Sequence, residues 1–318
     1  MIKPQKVAAI VNPCAANGET ARRWPELNSL LKHSLGPLTA RFTDSPGHGT
    51  VITRELLRDE YDLIIAVGGD GTINEVANGF FENDRIIRPE ATLGILPLGT
   101  GGDFRRTLGI PQNPAEAAKI LSGGLPLLID VGKANYQANN GGAESRYFVN
   151  MVSFGMGGRV AARAKNSLRR WGGKPAFLWA TLETFLTYRG RCVKLKTDSS
   201  AGELEFLVAN IAVGNGQFHG GGMRPCPTAV LNDGLFEVTV IDYAGALKLI
   251  SSMPVLYSGE IYKHPNVRHL RTANLSAQST AETRIEVDGE ALGRLPLEIS
   301  LLPRQLPVLI STSSPLHG

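Results

Sequence analysis

Cysteine is scarce: the 318 residues hold three, Cys14, Cys192 and Cys226. They are far apart, odd in number and form no CxxC pair, so the sequence offers neither a disulfide framework nor a zinc site and suits a reducing cytoplasm. Long apolar runs are missing too. The best candidate, Pro175 to Tyr188, is interrupted by Glu183 and falls short of the ~20 residues a membrane-spanning helix needs. Near the N-terminus, Val7–Val11 is too short for the core of a signal peptide and, closed by Asn12-Pro13, reads as a first strand. Neither sign of charge dominates, because 33 Lys and Arg stand against 29 Asp and Glu, and a net charge of +4 requires no nucleic-acid partner. Several familiar motifs are also absent. The lack of G-x-x-x-x-G-K-[ST] disfavours a P-loop ATPase or GTPase, and the lack of G-x-G-x-x-G after the first strand disfavours an NAD(P) Rossmann site. The six histidines form neither HExxH nor a close cluster, and no G-x-S-x-G nucleophile elbow is present.

What is present is ordinary globular protein, 42% hydrophobic and 19% charged, long enough for about two domains. Its 36 glycines gather at a few places rather than repeating, which marks loops that bring backbone close to a ligand. Through the first third, short apolar runs alternate with amphipathic ones: Val7–Val11, Thr20–His33, Leu38–Thr43, Thr50–Arg58, Leu63–Val67, Thr72–Phe81, Thr92–Leu96, Pro114–Leu121 and Leu127–Val131. This alternation predicts a doubly wound, mostly parallel sheet covered by helices over residues 1–133. From 134 to 302 the pattern changes to β-rich runs between Gly, Pro and Asp turns, namely Tyr147–Val152, Val193–Lys196, Glu205–Val213, Phe236–Ile241 and Thr283–Val287. They predict an antiparallel β-sandwich. Helices are expected over Arg159–Trp171, Phe177–Tyr188 and Gly245–Tyr257, and Leu306–Ile310 is placed to return residues 303–318 to the first domain.

The most informative stretch is Ala66-Val67-Gly68-Gly69-Asp70-Gly71-Thr72-Ile73-Asn74-Glu75, a buried strand running directly into a glycine turn and a helix. Glycines admit phosphate oxygens to the main chain, and the N–H groups and dipole of a helix start attract them. Asp70 would repel such a ligand unless a cation lay between, which suggests Mg²⁺; a glycine turn with Asp as a helix cap fits the same residues. A second glycine loop, Pro97-Leu98-Gly99-Thr100-Gly101-Gly102-Asp103-Phe104, follows the strand Thr92–Leu96. Parallel neighbours would bring both loops to one sheet edge, with Asn12-Pro13 and Thr43-Asp44-Ser45-Pro46 at two further strand ends. Phosphoryl transfer asks the protein mainly for positioning, a cation and a base, so glycine loops plus carboxylates are a sufficient inventory for a kinase.

These two loops resemble the diacylglycerol kinase catalytic domain family, and within it the soluble bacterial lipid kinases; sphingosine and ceramide kinases are more distant. Asp130-Val131-Gly132, Asn150 with Gly155, Gly220-Gly221-Gly222, Asp233-Gly234 and Asp288-Gly289-Glu290 follow in the family's order, so the resemblance covers nearly the whole chain. It implies an N-terminal NAD-kinase-like nucleotide domain, a C-terminal β-sandwich, ATP as donor, Mg²⁺, and a lipid hydroxyl as acceptor. Carried over by position, ATP contacts fall on Asn12, Thr43, Gly68, Gly69, Asp70, Gly71, Thr72, Ile73, Asn74 and Thr100. Asp288 takes the family's place for the proton acceptor, with Glu290 assisting through the metal and Asp70 at the catalytic cation. By residue pattern alone, Asp-Gly at a strand end is a hairpin turn. Asp233 matches a structural Mg²⁺ site completed by the carbonyls of Val230 and Leu235. Two departures stand out: the first loop reads Cys14-Ala15-Ala16-Asn17-Gly18 where the family has a Ser-Gly pair, and Gly102 replaces an Asn before Asp103-Phe104.

Between 159 and 174 lie six basic residues, Arg159, Arg163, Lys165, Arg169, Arg170 and Lys174, with Trp171, Phe177 and Trp179 alongside. Such a stretch suits an anionic lipid surface, a solvated face over an aromatic core, or neutralisation of nucleotide phosphates. The sequence therefore predicts a cytoplasmic ATP- and Mg²⁺-dependent lipid kinase with peripheral contact at the inner membrane face. Its alternatives are a kinase of a soluble acceptor such as NAD, and a nucleotide- or lipid-binding regulator without turnover.

Overall fold

The computed structural model describes residues 6–99, 101–161, 163, 184, 187–198, 200–314 and 316. The chain divides into two compact units, Met1–Val131 with Pro303–Gly318, and Gly132–Leu302.

The first unit is the expected α/β fold. Its elements run β1 (Val7–Val11), α1 (Glu19–Leu35), β2 (Thr39–Phe42), α2 (His48–Arg58), β3 (Leu63–Gly68), α3 (Asp70–Gly79), β4 (Phe81–Glu82), β5 (Arg85–Ile86), β6 (Thr92–Pro97), α4 (Asp103–Leu108) and α5 (Pro114–Gly123). Strands β1, β3 and β6 are nearly unbroken apolar runs because helices cover both faces of the sheet, and every residue of β1 and β3 is buried. β2 is the half-exposed edge. Helix α2 shows the matching logic, burying Gly49, Ile52, Thr53, Leu56 and Leu57 on one stripe. The β4–β5 hairpin turns through Asn83 and Asp84, both left-handed, as its two-residue loop demands. Asn113 caps α5, its side chain accepting the N–H of Ala115, with Pro114 at the first helical position.

Parallel pairing gives the order β6-β3-β1-β2, so the chain reverses direction across the sheet between β1 and β3. Leu306–Ile310 does return here: Leu306, Val308 and Ile310 are fully buried, and Val308 pairs in parallel with Leu93 of β6. The buried carboxylate of Asp130 accepts the main-chain N–H of Arg304 at 2.7 Å and pins the start of this segment.

The second unit is an antiparallel β fold. It contains most of β7 (Leu125–Ala138) and β8 (Ala143–Phe148), then β9 (Met151–Gly155), β10 (Arg191–Thr197), β11 (Leu204–Gly214), β12 (Phe236–Asp242), β13 (Val267–Thr272), β14 (Asn274–Gln278), β15 (Arg284–Val287) and the first part of β16 (Glu290–Ile310). One run of strands is ordered β13-β12-β11-β10-β14-β16, and β9 bridges β11 to β15. Alternation places Val193, Leu195 and Thr197 of β10 inward. Phe148 and Phe236 stack at 5.4 Å in the core with Phe154. The β4–β5 hairpin, α4, β13, β14 and the first part of β16 lie outside the sequence reading, and the run expected over Tyr147–Val152 is divided between β8 and β9. β7 extends well beyond 127–131, and the helix expected over 245–257 splits into α6 (Ala246–Ser251) and a turn at Val255–Ser258. Pro254 explains the split, since it lacks the N–H a continuing helix would use. Residues 156–161 are helical; the rest of the helices expected over 159–171 and 177–188, apart from residues 163, 184, 187 and 188, lies outside the described residues. No helix among the described residues is long and apolar enough to cross a membrane.

Burial sorts the cysteines. Cys14 and Cys192 are exposed, whereas Cys226 is fully buried and its thiol is pushed up to about 12, mainly by that burial. A chromogenic disulfide reagent at pH 8 should therefore titrate two thiols in the native protein and the third only after denaturation.

Candidate functional site

The carboxyl ends of four neighbouring parallel strands carry the predicted nucleotide residues: Asn12 after β1, Thr43 after β2, Gly68-Gly69 at β3 and Leu98-Gly99 after β6. In an open α/β sheet this edge, at the point where strand order reverses, is where ligands bind. Asn12 spans that reversal, with its main-chain N–H on the carbonyl of Val67 and its Nδ2 donating to Thr72 Oγ1 at 3.1 Å. The Thr72 side chain fills the space that a Cβ on Gly68 would need, 2.4 Å away. Thr43 is buried beside this edge, its N–H bonded to Val11. The N-terminus of α3 has no side-chain cap, and Gly69, Asp70 and Gly71 are only half-buried, so this helix start is partly open at the sheet edge, where first-turn amides suit an anion. Ile73 and Asn74 are different. Both are buried in the helix body, and Asn74 Oδ1 accepts from Asn78 Nδ2 at 3.1 Å. Thr100 lies outside the described residues.

Asp70, which the sequence suggests as a holder of Mg²⁺ directly or through water, is engaged by main chain in this structure. Its carboxylate accepts three main-chain N–H groups at the start of α4, from Gly102 at 2.8 Å and Asp103 at 3.2 Å on Oδ2 and from Phe104 at 3.2 Å on Oδ1. It joins the two glycine loops, and the helix cap that the residue pattern also allowed is the role it plays, on α4. Burial raises its pKa above 3.8 and the neighbouring charge of Asp103 adds to the rise, against the three N–H bonds. The glycines serve the same closeness: a Cβ on Gly99 would sit 3.1 Å from the Cα of Gly69, and one on Gly101 would sit 2.9 Å from Asp70 Oδ2. Gly102 is left-handed at φ +63°, a conformation that Asn tolerates better than most residues, but the Arg105 side chain occupies the space beside it, with Nε 2.6 Å from where a Cβ would sit. The first loop carries the other departure as strain, with Ala16 and Asn17 both left-handed before Gly18.

Glu75, at the end of the first glycine-loop motif, has a structural role. Its carboxylate accepts from Gly47 N at 2.8 Å and Gly49 N at 2.9 Å, capping α2 much as Asp70 caps α4. A Glu one turn into a helix gives no local signal for this, because its partners lie 28 and 26 residues away.

In the second unit, Asp288 and Gly289 form the left-handed turn from β15 into β16, φ +46° and +90°. The buried Asp288 carboxylate accepts N–H groups from Val149 at 3.0 Å, Asn150 at 3.1 Å and Met151 at 2.7 Å, which fixes its orientation. Asn150 donates from Nδ2 to the carbonyl of Phe218, and its Oδ1 is buried without a partner among the described residues. Two strand positions earlier, Glu286 accepts from Ser153 Oγ and pairs with His219 at 2.9 Å, a buried polar group the sequence reading passed over. Glu290 is more open and lies 3.6 Å from Arg146.

The Asp233 turn does not fit a divalent cation. Asp233 Oδ1 accepts the N–H of Leu235 at 3.1 Å, as an Asx turn does, and Oδ2 pairs with Arg271, whose Nε also contacts the buried Glu237 at 3.0 Å. The positive charge assigned to Mg²⁺ between Val230, Asp233 and Leu235 is thus supplied by a guanidinium. No group of three acidic, histidine or cysteine side chains disposed for a metal occurs among the described residues. Chelation by EDTA should leave the melting temperature unchanged, whereas Arg271→Ala, which leaves the buried Glu237 with His269 as its remaining ion-pair partner among the described residues, should cost about 1–3 kcal/mol by thermal denaturation. Of the basic stretch, only Arg159 and Arg163 fall within the described residues.

Comparison with known proteins shows which family the chain resembles. Residues 6–134 match the family model of the diacylglycerol kinase catalytic domain, and residues 150–310 match that of the YegS C-terminal NAD kinase beta sandwich-like domain. A diacylglycerol kinase of Staphylococcus carnosus (strain TM300) is 27% identical over 304 residues, 96% of this chain and 94% of that one. The diacylglycerol kinase of Staphylococcus saprophyticus subsp. saprophyticus is 29% identical over 292 residues, 92% of this chain and 91% of its own. The crystal structure of a diacylglycerol kinase from Bacillus anthracis str. Sterne aligns with a TM-score of 0.71 at 25% identity, covering 98% and 99% of the two chains. Yeast NADH kinase complexed with NADH shares the fold alone, with a TM-score of 0.51 at 11% identity over 99% of this chain and 86% of that one.

Proposed function

The chain belongs to the diacylglycerol kinase family and is a lipid kinase, and we propose on that premise that it moves the γ-phosphate of ATP to a lipid hydroxyl. The carrying observation is the convergence of Asn12, Thr43, Gly68-Gly69 and Gly99 at one sheet edge, beside the uncapped N-terminus of α3. That edge has main-chain donors and no motif that would read a base, which suits a phosphate chain. In this reading Asp288 accepts the hydroxyl proton, the freed oxygen forms the new bond to γ-phosphorus, and the bond to the bridging oxygen breaks to release ADP. The N–H groups of Val149, Asn150 and Met151 hold the Asp288 carboxylate in place for that transfer. Mg²⁺ would enter as the companion of the nucleotide phosphates, neutralising their charge, rather than as a resident of the Asp233 turn. The acceptor we favour is a glycerolipid, diacylglycerol being the substrate in the relatives' names, with phosphatidylglycerol as the competing candidate.

The test is transfer of label from γ-labelled ATP to vesicles carrying diacylglycerol or phosphatidylglycerol, with free NAD in a parallel reaction. Label in a solvent-extractable lipid is the expected result. Label on NAD, or hydrolysis with no labelled lipid, would refute the proposal.

A further inference from the structure

The second unit contains a cavity of about 420 Å³ that plays no part in the reading above. Among the described residues, four guanidinium groups line it, those of Arg159, Arg163, Arg191 and Arg284, against one carboxylate, that of Glu282. They come from distant parts of the sequence. Arg191 opens β10, Arg284 opens β15 and Arg159 stands in the 156–161 helical stretch. Arg163 is oriented by Thr184 and Thr187, donating to their Oγ1 atoms at 3.2 and 3.1 Å, and Arg191 lies over the Tyr188 ring at 5.8 Å from its centroid. Arg284 Nε pairs with Glu282 at 3.2 Å, which leaves the wall strongly positive.

Such a convergence is costly in an isolated protein. Burial lowers the pKa of Arg159, and the charges of Arg163, Arg191 and Arg284 press it in the same direction. A second, uncharged feature points the same way. Tyr188 is 3% exposed, lines the cavity, and its Oη has no hydrogen-bond partner among the described residues. An unmet buried hydroxyl costs on the order of 1–3 kcal/mol. The space beside it is kept by Gly155, where a Cβ would lie 3.1 Å from that oxygen. An anion with several oxygens removes both costs together, since it can take forked N–H pairs from arginine and an O–H from tyrosine. A phosphate group carries up to about two charges and three acceptor oxygens, matching several guanidinium groups better than a carboxylate does, and the volume falls in the range of small-molecule sites.

We propose that this arginine-lined cavity of the β-sandwich unit is a binding site for a phosphate-bearing anion, either free phosphate or a phospholipid headgroup. The proposal does not depend on which acceptor the kinase uses, or on Asp288.

The full chain would be titrated, at physiological salt, with inorganic phosphate by calorimetry and with vesicles of phosphatidylcholine with and without phosphatidylglycerol by co-sedimentation. Tyr188→Phe changes no charge and keeps the ring, and Arg159→Ala removes one cavity charge; Lys194→Ala, on an exposed side chain of β10, is the control for bulk charge. Circular dichroism reports whether each variant folds. The expected result is binding of at least one probe, weakened about tenfold by Arg159→Ala and measurably by Tyr188→Phe, with Lys194→Ala unchanged. Loss confined to inorganic phosphate identifies a free anion, and loss confined to phosphatidylglycerol vesicles identifies a headgroup. Binding of neither probe, or equal weakening by Lys194→Ala, overturns the proposal, and neither outcome bears on γ-phosphate transfer.

Discussion

Asp288→Asn should lower phosphate transfer to lipid by at least ~100-fold, the contribution expected of a positioned general base, while leaving nucleotide affinity within a factor of about two. The separation follows from where the side chain sits. Asparagine has the same shape, and its oxygen can keep the two N–H bonds that Oδ1 now accepts from Asn150 and Met151. Its NH₂ group would then face the N–H of Val149, so the variant loses one bond and should give up on the order of 1–3 kcal/mol of stability. A melt with the expected modest drop, nucleotide binding intact and transfer abolished would assign Asp288 to the reacting hydroxyl. A variant that melts as predicted yet keeps a tenth or more of the wild-type rate would reduce Asp288 to a turn residue whose carboxylate only staples β15 to the Val149–Met151 segment.

The alternation of apolar strands with one-sided helices made the first unit readable, because covered parallel strands must be apolar throughout and covering helices must be striped. Leu306–Ile310 was readable for the same reason: an apolar run that late in the chain has to find a buried place, and β6 offers one. The candidate nucleotide edge was readable because glycine loops follow strands directly. Roles of individual carboxylates were not. Asp70, Glu75, Asp233 and Asp288 sit in stretches that suit a cap, a turn or a ligand equally, and the choice is made by partners far along the chain. Asp70 meets Gly102, Asp233 meets Arg271, and Asp288 meets Val149 across 139 residues. Arginine hides even better, since nothing local in the sequence links Arg191 to Arg284 until folding brings them to one cavity. The strained Ala16 and Asn17 show the reverse case, a local departure whose backbone consequence appears only in three dimensions.

Asp70 is the carboxylate whose loss should reach furthest in the first unit. Asp70→Ala removes three N–H bonds to a charged acceptor, each of a kind that contributes about 1.5–3 kcal/mol before the carboxylate's own desolvation is subtracted. A net loss of about 2–4 kcal/mol is expected, or roughly 5–12 °C in melting temperature for a unit of this size. It leaves the N-terminus of α4 uncapped and frees the second glycine loop from the first, so nucleotide affinity should fall even though Asp70 need not touch the nucleotide. Asp70→Asn keeps one acceptor oxygen and should lie between. Wild type and Asp70→Asn also separate by pH. Because the folded-state pKa of Asp70 is raised above 3.8 by burial and by Asp103, the protonated form is the one folding favours, and the stability tied to that proton is fully present below 3.8 and lost as pH rises through the raised value. Asn has no proton to lose, so the wild-type advantage over Asp70→Asn should grow as the solution is acidified through that window. An advantage that shrinks on acidification would mean that the three N–H bonds outweigh burial and that Asp70 is held ionised, which would restore it as a candidate partner for a cation.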